Sequence, residues 1–471
     1  HMWPLAIPWA VVVASSFLAK PGPPEALQPP EAAQIHRAGA AKHDPYTPGF
    51  APFPSPTSST TRTTKKAAVL LSLSSASGST ISNNSWHAAG CAALIALRHV
   101  NQRNGSVVRE LSGLPVGYRL NSVLYDSKST AQVALKDVIY AAGGGTANEN
   151  TSSSCATTDR YMFQDMILDT CSISSIIGAG HSTVTRAVAL YTGVLGMTQL
   201  SYASSAPFLA DQTLYPTLSR TYPNDELSAK LLYTRLVEFH WEHAALIVQR
   251  NDAWGAGYAD KLSSSIRRSQ FTLTTVRLSK FDHESELAEE LESSLSGQNI
   301  FLIALSSDRI SPLLRVLKDQ RMLTKKYAYV LIEGSALAQS MAPSDVPLLA
   351  GMLTWEVSSR RSRGYARFKE VWHQQSAQDC NFTLAGVRDE VQLGAGNITH
   401  NANWSYVPPY PTAHFQEDPP EYAAFMYDSI AAMALAYRDC FESARGCAHV
   451  IGTPSNNLYE ELMQVHFEGA S

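Results

Sequence analysis

Between Ala67 and Ile332 short apolar runs alternate with helical patterns almost without a break, and this alternation constrains the fold more than any single motif. Ala67–Leu73, Tyr118–Tyr125, Ile173–Ile177 and Gln199–Ala203 read as strands, with helices at Ala88–Val100, Thr130–Tyr140 and Thr183–Leu195. The pattern repeats with strands at Ala244–Val248, Phe271–Leu278, Ile300–Leu305 and Tyr327–Ile332, about one βα unit apart. A helix over Asp225–Phe239 carries Leu227, Leu231, Leu232, Leu236 and Phe239 on its apolar face, with Asn224 or Asp225 as its cap. Near-continuous apolar strands between amphipathic helices imply parallel sheets covered on both faces, hence an α/β fold. With 471 residues, 45% of them apolar, the chain exceeds one core, so two such lobes are expected. Ligands of open parallel sheets sit at the carboxyl ends of the strands, which makes a cleft between facing lobes the natural site.

The remaining composition narrows the function classes. A net charge of −4 without a basic stripe speaks against a nucleic-acid partner. Residues 1–19 hold an apolar run, Trp3 to Val13, followed by small residues, which reads as a secretory signal or else an apolar tail; residues 20–64, rich in Pro, Ala, Ser and Thr, read as a leader or linker. Nothing later reaches the roughly 18 apolar residues of a membrane helix. N-x-S/T sequons at Asn83, Asn104, Asn150, Asn381, Asn397 and Asn403 suit a glycosylated ectodomain. Cys155 with Cys171, and Cys440 with Cys447, are placed to form local disulfides, whereas Cys91, inside an apolar helix, reads as a buried thiol and Cys380 has no local partner. The polar stretch 142–170 reads as a mobile surface loop.

The stretch Ile176-Ile177-Gly178-Ala179-Gly180-His181-Ser182-Thr183 is a buried strand, a glycine turn and a helix start, where N–H groups and hydroxyls attract an anion or simply cap the helix. A dinucleotide site would need a third glycine at Thr183 and an acid after the next strand, where Ser-Tyr-Ala-Ser-Ser stands instead. A hydrolase built from Ser182 or Ser204 with His181 and Asp225 lacks the G-x-S-x-G elbow. The 14 histidines are scattered, with no H-E-x-x-H or C-x-x-C, so neither a metal nor a cofactor is expected. Phe239-His240-Trp241-Glu242-His243 reads as a surface helix end, and the acidic run from His283 to Glu292 as a solvated helix face.

The continuation from Leu200 to Pro207, then Tyr215-Pro216-Thr217-Leu218-Ser219-Arg220-Thr221-Tyr222-Pro223-Asn224-Asp225, resembles the receptor family ligand-binding region. This is the periplasmic-binding-protein type I fold of class C G-protein-coupled receptors, natriuretic-peptide receptors and bacterial amino-acid-binding proteins. The resemblance runs from about Lys65 to the end, including Tyr233–Asn251 and Ala423–Tyr437, and the Cys440–Cys447 spacing is similar to a loop disulfide of metabotropic glutamate receptors. It implies lobe 1 at approximately 65–220 and 352–455, and lobe 2 at approximately 221–351 with the C-terminal end. By the same resemblance, Ser182 and Thr183 hold a ligand carboxylate and Ala203, Ser204 and Ser205 line a second turn. Asp225 faces an ammonium from the hinge, and Trp254 forms an aromatic lid. Where amino-acid receptors carry acids on lobe 2, this chain has Ser306, Ser307, Gly334 and Ser335, with Asp308 and Glu333 displaced by one or two places; Tyr422 falls near a distal basic position. Glutamate is therefore not the expected ligand; an amino acid with a neutral or aromatic side chain, or a small carboxylate, is. The resemblance further implies a dimer through lobe 1 and a plasma-membrane receptor with this region outside the cell, anchored by a segment beyond Ser471. Two other expectations are the ectodomain of a guanylate or adenylate cyclase receptor and a soluble amino-acid-binding protein of a transporter.

Overall fold

A computed structural model describes residues 64–73, 84–142, 162–163, 166–167, 173–266, 271–295, 297–333, 337, 341–360, 362–387, 402–407, 410–443 and 457–471. Lobe 1 is built on a seven-stranded sheet in the order β14-β13-β2-β1-β5-β6-β7. Its strands are β1 (Thr64–Leu71), β2 (Arg119–Asp126), β5 (Ser175–Ile177), β6 (Thr198–Ser201), β7 (Leu218–Arg220), β13 (Thr383–Val387) and β14 (Ala402–Tyr406), while β3 (Met162–Phe163) and β4 (Met166–Ile167) form a separate small ribbon. Lobe 2 holds a five-stranded sheet, β12-β11-β10-β8-β9, from β8 (His243–Gln249), β9 (Thr272–Leu278), β10 (Ile300–Ala304), β11 (Ala328–Ile332) and β12 (Leu353–Trp355). Both sheets are parallel apart from the β13–β14 hairpin, as runs buried on both faces require.

The expected strands and helices are all present, displaced by at most a few residues at their ends. They include α1 (Asn84–Gln102), α2 (Ala131–Ala141), α3 (Ser182–Leu195), α4 (Asp225–Glu238), α5 (Ala253–Ile266), α6 (Glu284–Ser294) and α7 (Ser307–Asp319). The hairpin β13–β14 was not anticipated: it adds to the far edge of lobe 1 by pairing Ala385 with Tyr125. The apolar face of α4 also differs from expectation. Ala229, Leu232 and Leu236, spaced by three and four, point inward, while Leu227 and Phe239 are 61% and 47% exposed. Its cap is Asn224, whose Oδ1 accepts the Glu226 N–H at 2.9 Å.

Lobe 1 is centred on α1 packed against the helix Glu421–Glu442, which is buried on nearly every side from Ala423 to Tyr437. Here the thiol reading of Cys91 is corrected, because Cys91 forms a disulfide with Cys380 across 289 residues of sequence. The apolar pattern of α1 reports the burial of Cys91 correctly but cannot report a partner brought in from a distant segment. Cys440 is disulfide-bonded, its partner lying outside the described residues. Cys155, Cys171, Cys447, most of the 142–170 stretch, residues 1–63 and the sequons Asn83, Asn150 and Asn397 lie outside them as well. Among the described residues no helix is long and apolar enough to cross a membrane.

Candidate ligand cleft between the lobes

The glycine turn after β5 is shaped by what crowds it. At Gly178, with φ +129°, a Cβ would lie 2.7 Å from the Leu70 carbonyl oxygen; at Gly180 one would lie 2.7 Å from the Trp86 ring. The turn carbonyls are satisfied by side chains of the next strand and turn. Gln199 Nε2 donates to Gly178 O at 2.8 Å, Ser201 Oγ to Ala179 O at 2.8 Å, and Ser204 Oγ to Gly180 O at 3.2 Å. Ser204 thus points into the framework. The N-cap of α3 is His181, without a side-chain cap bond. Ser182 Oγ instead accepts the Ala206 N–H at 3.2 Å, tying the two turns together at the head of α3. Thr183 is exposed, its Oγ1 3.5 Å from Asp252 Oδ1 of lobe 2.

The second cluster lies where the chain first crosses between lobes. Asp225 is buried; its N–H donates to Ser205 O at 3.0 Å and its Oδ2 accepts the Trp254 indole N–H at 2.9 Å. Burial pushes the Asp225 carboxyl up, against the hydrogen bonds from Ser205 and Trp254 and the charge of Arg220. Trp254 packs on both the α4–α5 core of lobe 2 and the Leu209–Tyr215 cluster of lobe 1, so it spans the gap between them. Ala203 is buried in the lobe 1 core beside Tyr202.

The third cluster was only partly visible in the sequence. Glu333, at the carboxyl end of β11, accepts the Tyr222 hydroxyl at 3.2 Å on Oε1 and the Tyr422 hydroxyl at 3.0 Å on Oε2. Burial, then the Asp225 charge, push its carboxyl up, with Glu356 adding to the rise and the two tyrosines opposing it. Tyr422 stacks on Trp86 with centroids 4.7 Å apart and planes within 4°, and Trp86 also meets His181 and Tyr202. A small pocket opens here, with room for little more than one water, lined by Tyr222, Glu333, Glu356, Val357, Pro420, Glu421 and Tyr422. Its charged lining is acidic, Glu421 being held by Ser358, Ser359 and Arg360.

Ser182, Ser205, Asp225 and Trp254 are therefore linked through one set of contacts, and Tyr422 joins a neighbouring set centred on Glu333. Ser306 stands apart as the half-buried residue preceding α7, and Ser335 lies outside the described residues. Trp86, Tyr222 and Glu356 were missed. Position at the carboxyl end of a buried strand would have pointed to Glu333; the aromatic pair Trp86 and Tyr422 comes from segments far apart in the chain and left no local signal. Among the described residues the one His/Cys group close enough to hold a metal is His87, Cys91 and Cys380, and its sulfurs are joined to each other.

The family model described as "Receptor family ligand binding region" matches residues 88–471. Among curated relatives, the chain is 26% identical over 170 residues to the G-protein coupled receptor family C group 6 member A of Carassius auratus, covering 36% of this chain and 18% of that protein. It is 22% identical over 271 residues to the extracellular calcium-sensing receptor of Homo sapiens, covering 57% of this chain and 24% of the relative. Over 85 residues it is 32% identical to metabotropic glutamate receptor 8 of Homo sapiens, covering 18% of this chain and 9% of that receptor. The matched stretches thus span less than a quarter of the length of these relatives. Sheet order, cleft and family match agree, and the chain belongs to the receptor family ligand-binding region.

Proposed function

We propose that the chain is the extracellular ligand-binding region of a class C G-protein-coupled receptor, taking a small α-amino acid or related carboxylate between its lobes and signalling by the change in their closure. The carrying observation is that unlike ligand ends are provided for side by side. The first-turn N–H groups of α3, beside Ser182, have no partner within the helix and suit a carboxylate; the carboxyls of buried Asp225 and half-buried Glu333 stand near enough to take an ammonium, whose charge would oppose the upward push of burial on both. Similarity to receptors named for extracellular calcium and for glutamate supports the receptor class. Of the described sequon residues, Asn381 is exposed and half-buried Asn104 accepts the Ser106 N–H in a local turn, which suits the outer side of the plasma membrane, while Asn403 lies in β14. Leu190 and Val194, one turn apart on α3 and 46% and 76% exposed, support a dimer through lobe 1.

Isothermal titration over an amino-acid panel tests the reading. The Ser182→Ala, Ser205→Ala double variant should weaken the best ligand by at least roughly tenfold, since each change removes a hydrogen-bonding group facing or supporting a charged ligand end. Unchanged affinity would overturn the assignment.

A further inference from the structure

Lobe 1 gathers three metal-ligating side chains in one buried place, away from the cleft. His87 and Cys91 stand four residues apart on α1 and so share one face of the helix, and Cys380 reaches them from the short helical turn Ala377–Cys380. One ring nitrogen of His87 and the two sulfurs lie within 4.8 Å of one another. His87 is 5% exposed, and its Nε2 has no hydrogen-bond partner among the described residues, a state that buried polar atoms seldom occupy without a reason. The rings of Tyr410 at 5.1 Å and Phe382 at 5.7 Å, both edge-on, fix the imidazole.

The turn bearing Cys380 is held against α1 by more than the disulfide. Arg98 of α1 donates to Asp379 Oδ1 at 3.1 Å and to Asp379 O at 2.9 Å, and Asp379 Oδ2 accepts the Ser376 N–H at 2.9 Å. Gly90 leaves room for the Phe382 ring, which a Cβ there would meet at 2.7 Å. Breaking the sulfur–sulfur bond therefore leaves both sulfurs beside His87. Two thiolates and a neutral imidazole around a divalent cation sum to zero charge, which suits so dry a place, and soft sulfur ligands select zinc over calcium or magnesium. Zinc–sulfur bonds of about 2.3 Å place two sulfurs roughly 3.8 Å apart, within the span already present.

We propose that His87, Cys91 and Cys380 bind zinc once the disulfide is reduced, so that α1 and the later half of lobe 1 are joined by a sulfur–sulfur bond in one redox state and by a metal in the other. A dithiol supplies the reduction. Its thiolate attacks one sulfur and its second thiol resolves the mixed disulfide; Cys91 and Cys380 gain two electrons and two protons between them as thiols, and the dithiol ends as its own disulfide. Zinc binding then releases the two protons to water, and a water takes the fourth tetrahedral position.

Cys155→Ser, Cys171→Ser, Cys440→Ser and Cys447→Ser together leave only the two proposed sulfurs in the whole chain. This variant is reduced with dithiothreitol under nitrogen, freed of it by gel filtration and titrated with cobalt(II), whose bond to thiolate absorbs in the near ultraviolet. One cobalt per chain should bind, zinc should displace it, and zinc should raise the unfolding temperature of the reduced chain. His87→Ala should weaken cobalt binding at least roughly tenfold, since even a group behind a metal ligand contributes that much; far-UV circular dichroism checks folding. Should the serine variant not fold, the same His87→Ala contrast in the wild-type background, with all six cysteines reduced, carries the test. Equal cobalt binding by the oxidised chain, equal affinity in His87→Ala, a disulfide that dithiothreitol leaves intact in the folded chain, or a reduced chain that takes up no cobalt would each overturn the site.

Discussion

The two lobes share an architecture but not a way of holding it. The strands of lobe 2 come from one uninterrupted stretch, 243–355, and its core is mainly Leu, Ile, Val and Ala around β8, β10 and β11, with Phe301 stacked on Tyr329 and Tyr258 and Trp355 on the other face. Lobe 1 is assembled from two stretches with lobe 2 threaded between them: β1 to β7 on one side, β13, β14 and the helix Glu421–Glu442 on the other. Its core reflects that origin. The rings of Phe368, Trp372, Tyr410, Phe415 and Tyr427 interlock across segments from the later half, and the Cys91–Cys380 disulfide joins that half to α1. A contiguous lobe closes short loops; a discontinuous one must bring together ends separated by a whole domain, and a covalent tie is most effective there.

The contrast is broken or sharpened by three measurements, the largest effect first. Replacing Cys91 and Cys380 together by Ser should lower the stability of lobe 1 by about 5 kcal/mol, the loop-entropy figure for so long a closure, and leave lobe 2 nearly unchanged. Hydrogen exchange resolved by peptide reads both lobes at once, and equal loss of protection in each would erase the distinction. A pH effect of intermediate size should fall on the α2 side of lobe 1. Asp137 is buried in α2, and burial, then the neighbouring Asp126 charge, push its carboxyl up to about 8 against Lys128 and Lys136. Because the folded value lies above the unfolded one, its contribution is fully present below about pH 4 and lost as pH rises through about 8. Asp137→Asn should flatten that decline in urea unfolding at pH 5 to 9; an unaltered slope assigns the decline to other groups. The smallest effect belongs to lobe 2, where Arg309→Ala removes an ion pair at 2.9 Å to the exposed Asp282 and should cost less than about 1 kcal/mol. A larger loss would mean that lobe 2 depends on its surface charges after all.

Much of the fold was legible because it is written in local period. Buried strands such as Ala244–Val248 and amphipathic helices announce themselves in windows of a few residues, and so did the turn from Gly178 to Ser182. The site was legible only where it coincides with such turns. Ser182, Ser205 and Asp225 were visible there, Asp225 as the first residue of α4. Trp86 and Tyr422 are separated by most of the chain, and nothing in either neighbourhood states that they stack. The hydrophobic face assigned to α4 erred at Leu227 and Phe239 because a run rich in Leu offers more apolar positions than one packed face can use. Cys380 illustrates the same boundary: its burial follows from its surroundings, its partner from tertiary structure alone.

The Cys91–Cys380 tie also imposes a timetable on synthesis. At translation rates of roughly 5 to 20 residues per second, the 289 residues between the two cysteines delay the arrival of Cys380 by roughly 15 to 60 s. During that interval every strand of lobe 2 emerges, and so do Cys155 and Cys171, the first thiols to follow Cys91. Any early cross-link between Cys91 and one of them must be undone before the two halves of lobe 1 can join. A nascent chain of this kind spends its first minute with one half of a lobe waiting for the other, and its yield depends on how well Cys91 is kept from the wrong neighbour until then.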